Sequence, residues 1–62
     1  MSTFSNEQKL AAVQREIGFR KRVYGRRVAE NKMTQMQMDR EIAVFTAIEA
    51  DYQALAAGER LL

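Results

Sequence analysis

The sequence predicts an all-α fold: an antiparallel two-helix hairpin that homodimerises into a four-helix bundle. The chain of 62 residues has no Pro, and its three Gly residues are at positions 18, 25 and 58. So few helix breakers allow long uninterrupted helices. Apolar residues recur at helical spacing in both halves, and a helix-start signal separates the halves. We therefore expect a single domain, residues 1–62, with helix 1 at about 6–30 and helix 2 at about 35–57.

Local signals place both ends of helix 1. Ser5 is a good N-cap, and Gln8 follows at the third helical position, so that the two can form a capping box. Asn31 tolerates the left-handed conformation in which many helices end. The very short connection Asn31-Lys32-Met33 then turns the next helix back antiparallel to the first.

The start of helix 2 carries a second capping signal. Thr34 can accept a hydrogen bond from the amide of Gln37, whose side chain can reach back to the amide of Thr34. Met33 and Met38 bracket this box at the positions of a hydrophobic staple, which sets the angle of entry into the helix. Gly58 is expected to cap the C-terminus, followed by a short tail, residues 59–62.

Each predicted helix has one stripe of bulky apolar side chains that should form the core and the dimer contacts. The stripe consists of Leu10, Val13, Ile17, Tyr24 and Val28 in helix 1 and of Met38, Ile42, Phe45, Ile48, Tyr52 and Leu55 in helix 2. Arg20 falls within the first stripe and interrupts it. A hairpin of this size has little core of its own, and without Cys it has no disulfide, so pairing with a second copy is expected.

Helix 2 also has a row of small residues at four-three-four spacing: Ala43, Ala47, Ala50 and Ala54. This heptad spacing lets another helix approach closely. The alternative is that alanine, the best helix former, fills a solvated face. The sequence leaves both interpretations open.

A second, narrower apolar stripe on helix 1 holds Ala12, Phe19 and Val23. The two stripes together are wider than one neighbouring helix requires, as in a four-helix bundle. Phe19 and Val23 form a small patch whose rim consists of arginines at positions 15, 22 and 26. Because aromatic residues and arginine are frequent interface anchors, Arg15, Phe19, Arg22, Val23 and Arg26 are the candidate partner-binding residues. The alternative is that the homodimer interface covers Phe19 and Val23.

Charge is distributed unevenly over the two helices, although the net charge is only +2. Residues 15–27 include six basic side chains, whereas helix 2 is mainly acidic. The two helices can complement each other within the hairpin or across a dimer. The alternative function is binding of RNA or DNA by a small dimeric bundle through basic helix 1.

Composition argues against several other functions. The chain has no His, the commonest acid–base catalyst and metal ligand, and no Cys. The carboxylates Glu41, Glu49 and Asp51 could act as acid and base, but no other residue supports that role. We expect a non-enzymatic protein without cofactor or metal. With no long apolar run and no secretory signal, we expect it in the cytoplasm and without a membrane partner.

Two runs of residues between positions 10 and 52 carry a resemblance to a known group of proteins. The first run consists of Arg15-Glu16-Ile17, Arg20 and Arg22-Val23-Tyr24. The second consists of Lys32-Met33-Thr34-Gln35, Asp39-Arg40-Glu41-Ile42-Ala43-Val44 and Ile48 to Tyr52. With these residues the chain resembles small helical-hairpin proteins of proteobacterial temperate phages and prophages. These proteins often have Pro after the Tyr, where this chain has Gly25, which implies a straighter helix here.

One class within this resemblance is the phage quorum-sensing anti-activator, a small dimeric helical hairpin that blocks a host transcription regulator. The resemblance therefore implies a homodimer that binds and inhibits a host protein, with a quorum-sensing transcription regulator as the class of target. If a phage encodes the chain, the cytoplasm in which we expect it is that of the host cell. It transfers no binding residue to this chain, so the candidate residues rest on the helical stripes alone.

Overall fold

The structure, a computed structural model, describes residues 3–60, without the side chain of Arg60. It contains two α-helices, α1 (Asn6–Ala29) and α2 (Gln35–Arg60), which pack against each other. The amide of Asn6, at the start of α1, donates to the carboxylate of Glu59, at the end of α2, over 3.0 Å, so the helices are antiparallel. The described residues form no strand, and the predicted all-helical hairpin is confirmed.

Both ends of α1 are held by the groups that the sequence indicates. The amide of Gln8 donates to Oγ of Ser5 over 3.1 Å, and the amide of Ser5 donates to Oε1 of Gln8 over 2.8 Å. At the other end Asn31 has φ 58°, the left-handed conformation. The amides of Asn31 and Lys32 donate to the carbonyls of Val28 and Arg27, over 3.1 and 2.8 Å. This pair of bonds is a Schellman motif, which satisfies carbonyls at the helix end.

The capping box at the start of α2 is also present. The amide of Gln37 donates to Oγ1 of Thr34 over 3.1 Å, and the amide of Thr34 donates to Oε1 of Gln37 over 2.9 Å. Met33 and Met38, the predicted staple residues, are both half-buried. Because one helix ends and the next begins within a few residues, the short turn directs α2 back along α1.

The C-terminus of α2 departs from the prediction. The helix continues through Gly58 to Arg60, and Gly58 does not adopt a positive φ. The prediction that Gly58 caps the C-terminus is therefore wrong. The alanines before Gly58 are strong helix formers, and the contact of Glu59 with the start of α1 holds the last turn. Glu59 and Arg60, assigned to a tail, are therefore helical, whereas Leu61 and Leu62 lie outside the described residues.

The core of the hairpin is a thin seam between the two helices. Leu10 and Ile17 of α1 and Ala56 of α2 are the buried apolar residues among those described, with exposed fractions of 9%, 8% and 0%. The other stripe residues that line the seam are half-buried: Val13, Tyr24, Val28, Met38, Ile42, Phe45, Ile48 and Tyr52. A seam of half-buried side chains contributes much less than a closed core.

Leu55 is a correction to the predicted core. Its exposed fraction is 51%, and Ala56, which the stripe did not include, packs in that turn instead. After Tyr52, the next residue of α2 that faces α1 is Ala56, four positions on. Leu55, three positions on, lies outside the contact. A small side chain suits this end, because the helices are joined there by the bond between Asn6 and Glu59.

The molecule is a rod of 48 × 18 × 17 Å. Its radius of gyration is 14.3 Å, whereas a compact domain of this length would have about 10.6 Å. Each helix therefore has one side against its neighbour and most of its circumference open. The outer side of α1 and the outer side of α2 point in opposite directions.

Candidate protein-interaction surfaces

The predicted partner-binding residues lie together on the outer side of α1. We call Arg15, Phe19, Arg22, Val23 and Arg26 the basic surface of α1. Their spacing of four, three, one and three residues places them on one face of the helix, away from buried Leu10 and Ile17. The three arginines are exposed and Val23 is half-buried. Phe19 is 53% exposed, so a large aromatic side chain stands among cations.

The N-terminal end of the basic surface is extended by a shallow groove. Phe4, which is 64% exposed, lines it together with Gln8, Ala12 and Arg15. Ala12 and Arg15 belong to both the groove and the outer side of α1, so the groove adjoins the basic surface. The sequence stripe included Ala12 and Phe19 but not Phe4, since Phe4 precedes the first helical residue and falls outside the helical spacing.

Arg20 has a different environment from the arginines of the basic surface. Its guanidinium lies over the ring of Phe45 on α2, 4.4 Å from the ring centre. Nε donates to Oε1 of Glu16 over 2.7 Å, and Nη1 donates to the hydroxyl of Tyr24 over 2.6 Å. Partial burial lowers the pKa of Arg20, but the hydrogen bonds to Tyr24 and Glu16 outweigh it and raise the pKa above its usual value. Arg20 therefore joins the two helices as a fixed cation.

The outer side of α2 is unusually apolar for an exposed surface. Ala43, Ala47, Ala50 and Ala54 are all exposed, so α1 is not the helix that the alanine row could approach. Val44 beside them is 55% exposed. Together with Leu55 and Met36, which is 74% exposed, it gives α2 three exposed large apolar side chains.

Three carboxylates of α2 are the acid–base candidates that the sequence offers: Glu41, Glu49 and Asp51. The side-chain carboxylates of these three residues accept no hydrogen bond and form no ion pair within the described part of the chain. Residues 3–60 contain no group of three or more His, Cys, Asp or Glu side chains that could hold a metal ion. The ion pairs found among the described residues are Glu16–Arg20 and Glu30–Lys32. Both join residues that are close in sequence, and neither joins α1 to α2.

Comparisons with protein-family models, curated proteins and solved structures give no match to this chain. The resemblance to phage hairpin proteins stays a prediction. Neither helix of the described residues is long and apolar enough to cross a membrane. The functional argument therefore rests on the two outer surfaces.

Proposed function

We propose that this protein is a non-enzymatic phage or prophage interaction protein that works as a homodimer, binding and inhibiting a host protein. The observation that carries the proposal is the exposure of Phe19 within a cluster of three exposed arginines on a rigid helix. Aromatic and arginine side chains dominate the binding energy of many interfaces. The hairpin itself does not use them, since its contacts lie on the opposite side of α1.

The chemistry of the basic surface defines the partner that it would fit. Phe19 offers an apolar ring to a pocket, while Arg15, Arg22 and Arg26 span 12 residues, or about 16 Å of helix. A groove with an apolar centre and carboxylates along its rim would complement both features. The resemblance adds a class of target, the quorum-sensing transcription regulators. The hairpin would then act by covering the regulator's own dimer or DNA-binding surface.

Capture of a partner from the lysate of a proteobacterial host tests the proposal. The tagged chain of 62 residues is incubated with nuclease-treated lysate, and bound proteins are identified by mass spectrometry. We expect one stoichiometric host protein, which is lost with Arg22→Glu and with Phe19→Ala while far-ultraviolet helicity is unchanged. Loss of helicity in these variants would show instead that the residues are part of the core.

Two matched variants control for the change in charge and in apolar area. Lys21→Glu makes the same charge reversal on another side of α1, where Lys21 lies beside Met38 and Asp39. Met36→Ala removes an exposed apolar side chain from α2. Both variants should retain the partner. Equal loss with all four variants would contradict a site on the basic surface.

Nucleic acid is the second candidate partner, favoured by the row of Arg15, Arg22 and Arg26 along one face of α1. Neutralised phosphates release counterions, so the logarithm of the affinity should fall linearly with the logarithm of the salt concentration. Recovery of RNA or DNA from untreated lysate, with no stoichiometric protein after nuclease treatment, would favour this function.

A further inference from the structure

The outer side of α2 has a heptad pattern that the hairpin leaves uncovered. Its central residues follow alternating spacings of three and four, and we call them the outer strip of α2: Gln37, Arg40, Val44, Ala47, Asp51 and Ala54. All of them are exposed. Such spacing, maintained over about two and a half heptads, keeps one seam of a helix facing a partner helix.

From this strip we propose that a second copy of the chain packs its own α2 against it, antiparallel, with Val44 level with Ala47 of the other copy. This inference specifies the homodimer contained in the proposed function. In an antiparallel pair both helices rise by the same step in opposite directions, so the numbers of residues at one level have a constant sum. The same register then sets Arg40 level with Asp51 and Gln37 level with Ala54.

Charge complementarity identifies the second copy as the occupant. Within the outer strip Arg40 is the only cation and Asp51 the only anion, and neither has a partner among the described residues. The antiparallel register brings each Arg40 to an Asp51 of the other copy, twice in one interface. A parallel pair would place Arg40 near Arg40 and Asp51 near Asp51, which is unfavourable. The strip is therefore complementary to itself when inverted, as a two-fold symmetric interface requires.

Apolar packing supports the same register. The centre of the interface combines the larger Val44 with the smaller Ala47 on both sides of the two-fold axis, and small residues allow close approach of the helices. Leu55 and Ile48 lie on one flank of the strip, where Leu55 would lose part of its 51% exposure. The basic surface of α1 stays open, because it lies on the far side of each hairpin.

Charge reversal measured by sedimentation equilibrium tests the pairing. Asp51→Arg sets two arginines level with each other at both ends of the interface, and we expect the dimer to weaken about tenfold or more. The double variant Arg40→Asp/Asp51→Arg restores opposite charges and should recover the dimer. The control Asp39→Arg changes the same charge beside the strip and should leave the dimer intact. An unaltered dimer in Asp51→Arg, or no recovery in the double variant, would overturn the inference.

Disulfide cross-linking tests the register without relying on stability, because the chain has no Cys of its own. In the double variant Gln37→Cys/Ala54→Cys the two thiols of different copies are level, and we expect covalent dimers on oxidation. Within one helix the two positions are about 25 Å apart, beyond the reach of a disulfide. Neither single variant should cross-link in the antiparallel register. Cross-linking of the single variants, as in a parallel pair, would overturn the inference.

The experiments on the dimer interface and the experiment on partner binding can fail independently of each other. A dimer that survives Asp51→Arg would overturn this interface and leave the proposed homodimer to another face. Capture of a host protein through Phe19 and Arg22 depends on α1. Capture that persists in both Phe19→Ala and Arg22→Glu would overturn the partner-binding surface, whatever the state of α2.

Discussion

Arg20 occupies a position in the apolar stripe of α1 where a hydrocarbon side chain would usually stand. It is accommodated because its planar guanidinium stacks on Phe45 and its donors are taken by Glu16 and Tyr24. Within residues 3–60 the arginines of the basic surface have no ring stack or ion pair of this kind, although they belong to the same helix. The residue type alone therefore does not tell a structural arginine from a candidate binding arginine. The face of the helix on which the arginine lies makes this distinction.

This difference gives a prediction at the residue scale. Arg20→Ala should lower the urea midpoint of unfolding, because it removes the stack on Phe45 and both hydrogen bonds. Arg20→Lys should recover only part of the loss, since an ammonium group lacks the planar fork. Circular dichroism at fixed protein concentration measures both effects. Arg26→Ala is the matched control and should stay near the parent; an equal loss in the control would contradict the separate role of Arg20.

At the scale of the element, the turn between the helices is specified by local interactions. The left-handed Asn31 ends α1, and the capping box of Thr34 and Gln37 begins α2. Each signal acts within a few residues of its own position, so the sequence alone predicts where these helices end and begin. The end of α2 was not predictable in this way, because the helix continues through Gly58 in contact with the start of α1.

The cap of α2 gives the prediction at this scale. Thr34→Ala should lower the free energy of unfolding by about 1 kcal/mol, because the amide of Gln37 loses its acceptor at the helix start. Thr34→Ser keeps a hydroxyl at the N-cap and should remain within a few tenths of a kcal/mol of the parent. Urea titration at one protein concentration compares the three proteins. An unchanged Thr34→Ala variant would mean that tertiary contacts alone hold the turn.

The sequence predicts helical faces better than it predicts contacts. The shared face of Arg15, Phe19 and Arg22 follows from periodicity, and the structure shows these residues exposed together. Periodicity did not identify Ala56 as buried or Leu55 as exposed, because the crossing of the two helices selects between adjacent residues. Whether another chain covers an exposed face depends on contacts that one hairpin does not contain.

At the scale of the whole molecule, the hairpin is a thin rod with two unlike outer sides. Three buried apolar residues among those described, Leu10, Ile17 and Ala56, form a small core for a chain of 62 residues. Domains of this size usually need a disulfide, a metal or a partner chain for stability. We propose that the outer strip of α2 meets this need by binding a second copy, which leaves the basic surface of α1 for the protein that the dimer would inhibit.

The mass of the untagged parent chain in solution tests this arrangement most directly. Sedimentation equilibrium at micromolar concentrations should give a molecular mass twice that of one chain, which is 7.1 kDa. The helicity should fall on dilution as the dimer dissociates. A mass of one chain over the whole concentration range, with full helicity, would contradict the account, because the single hairpin would then be stable without the partner that its open surfaces indicate.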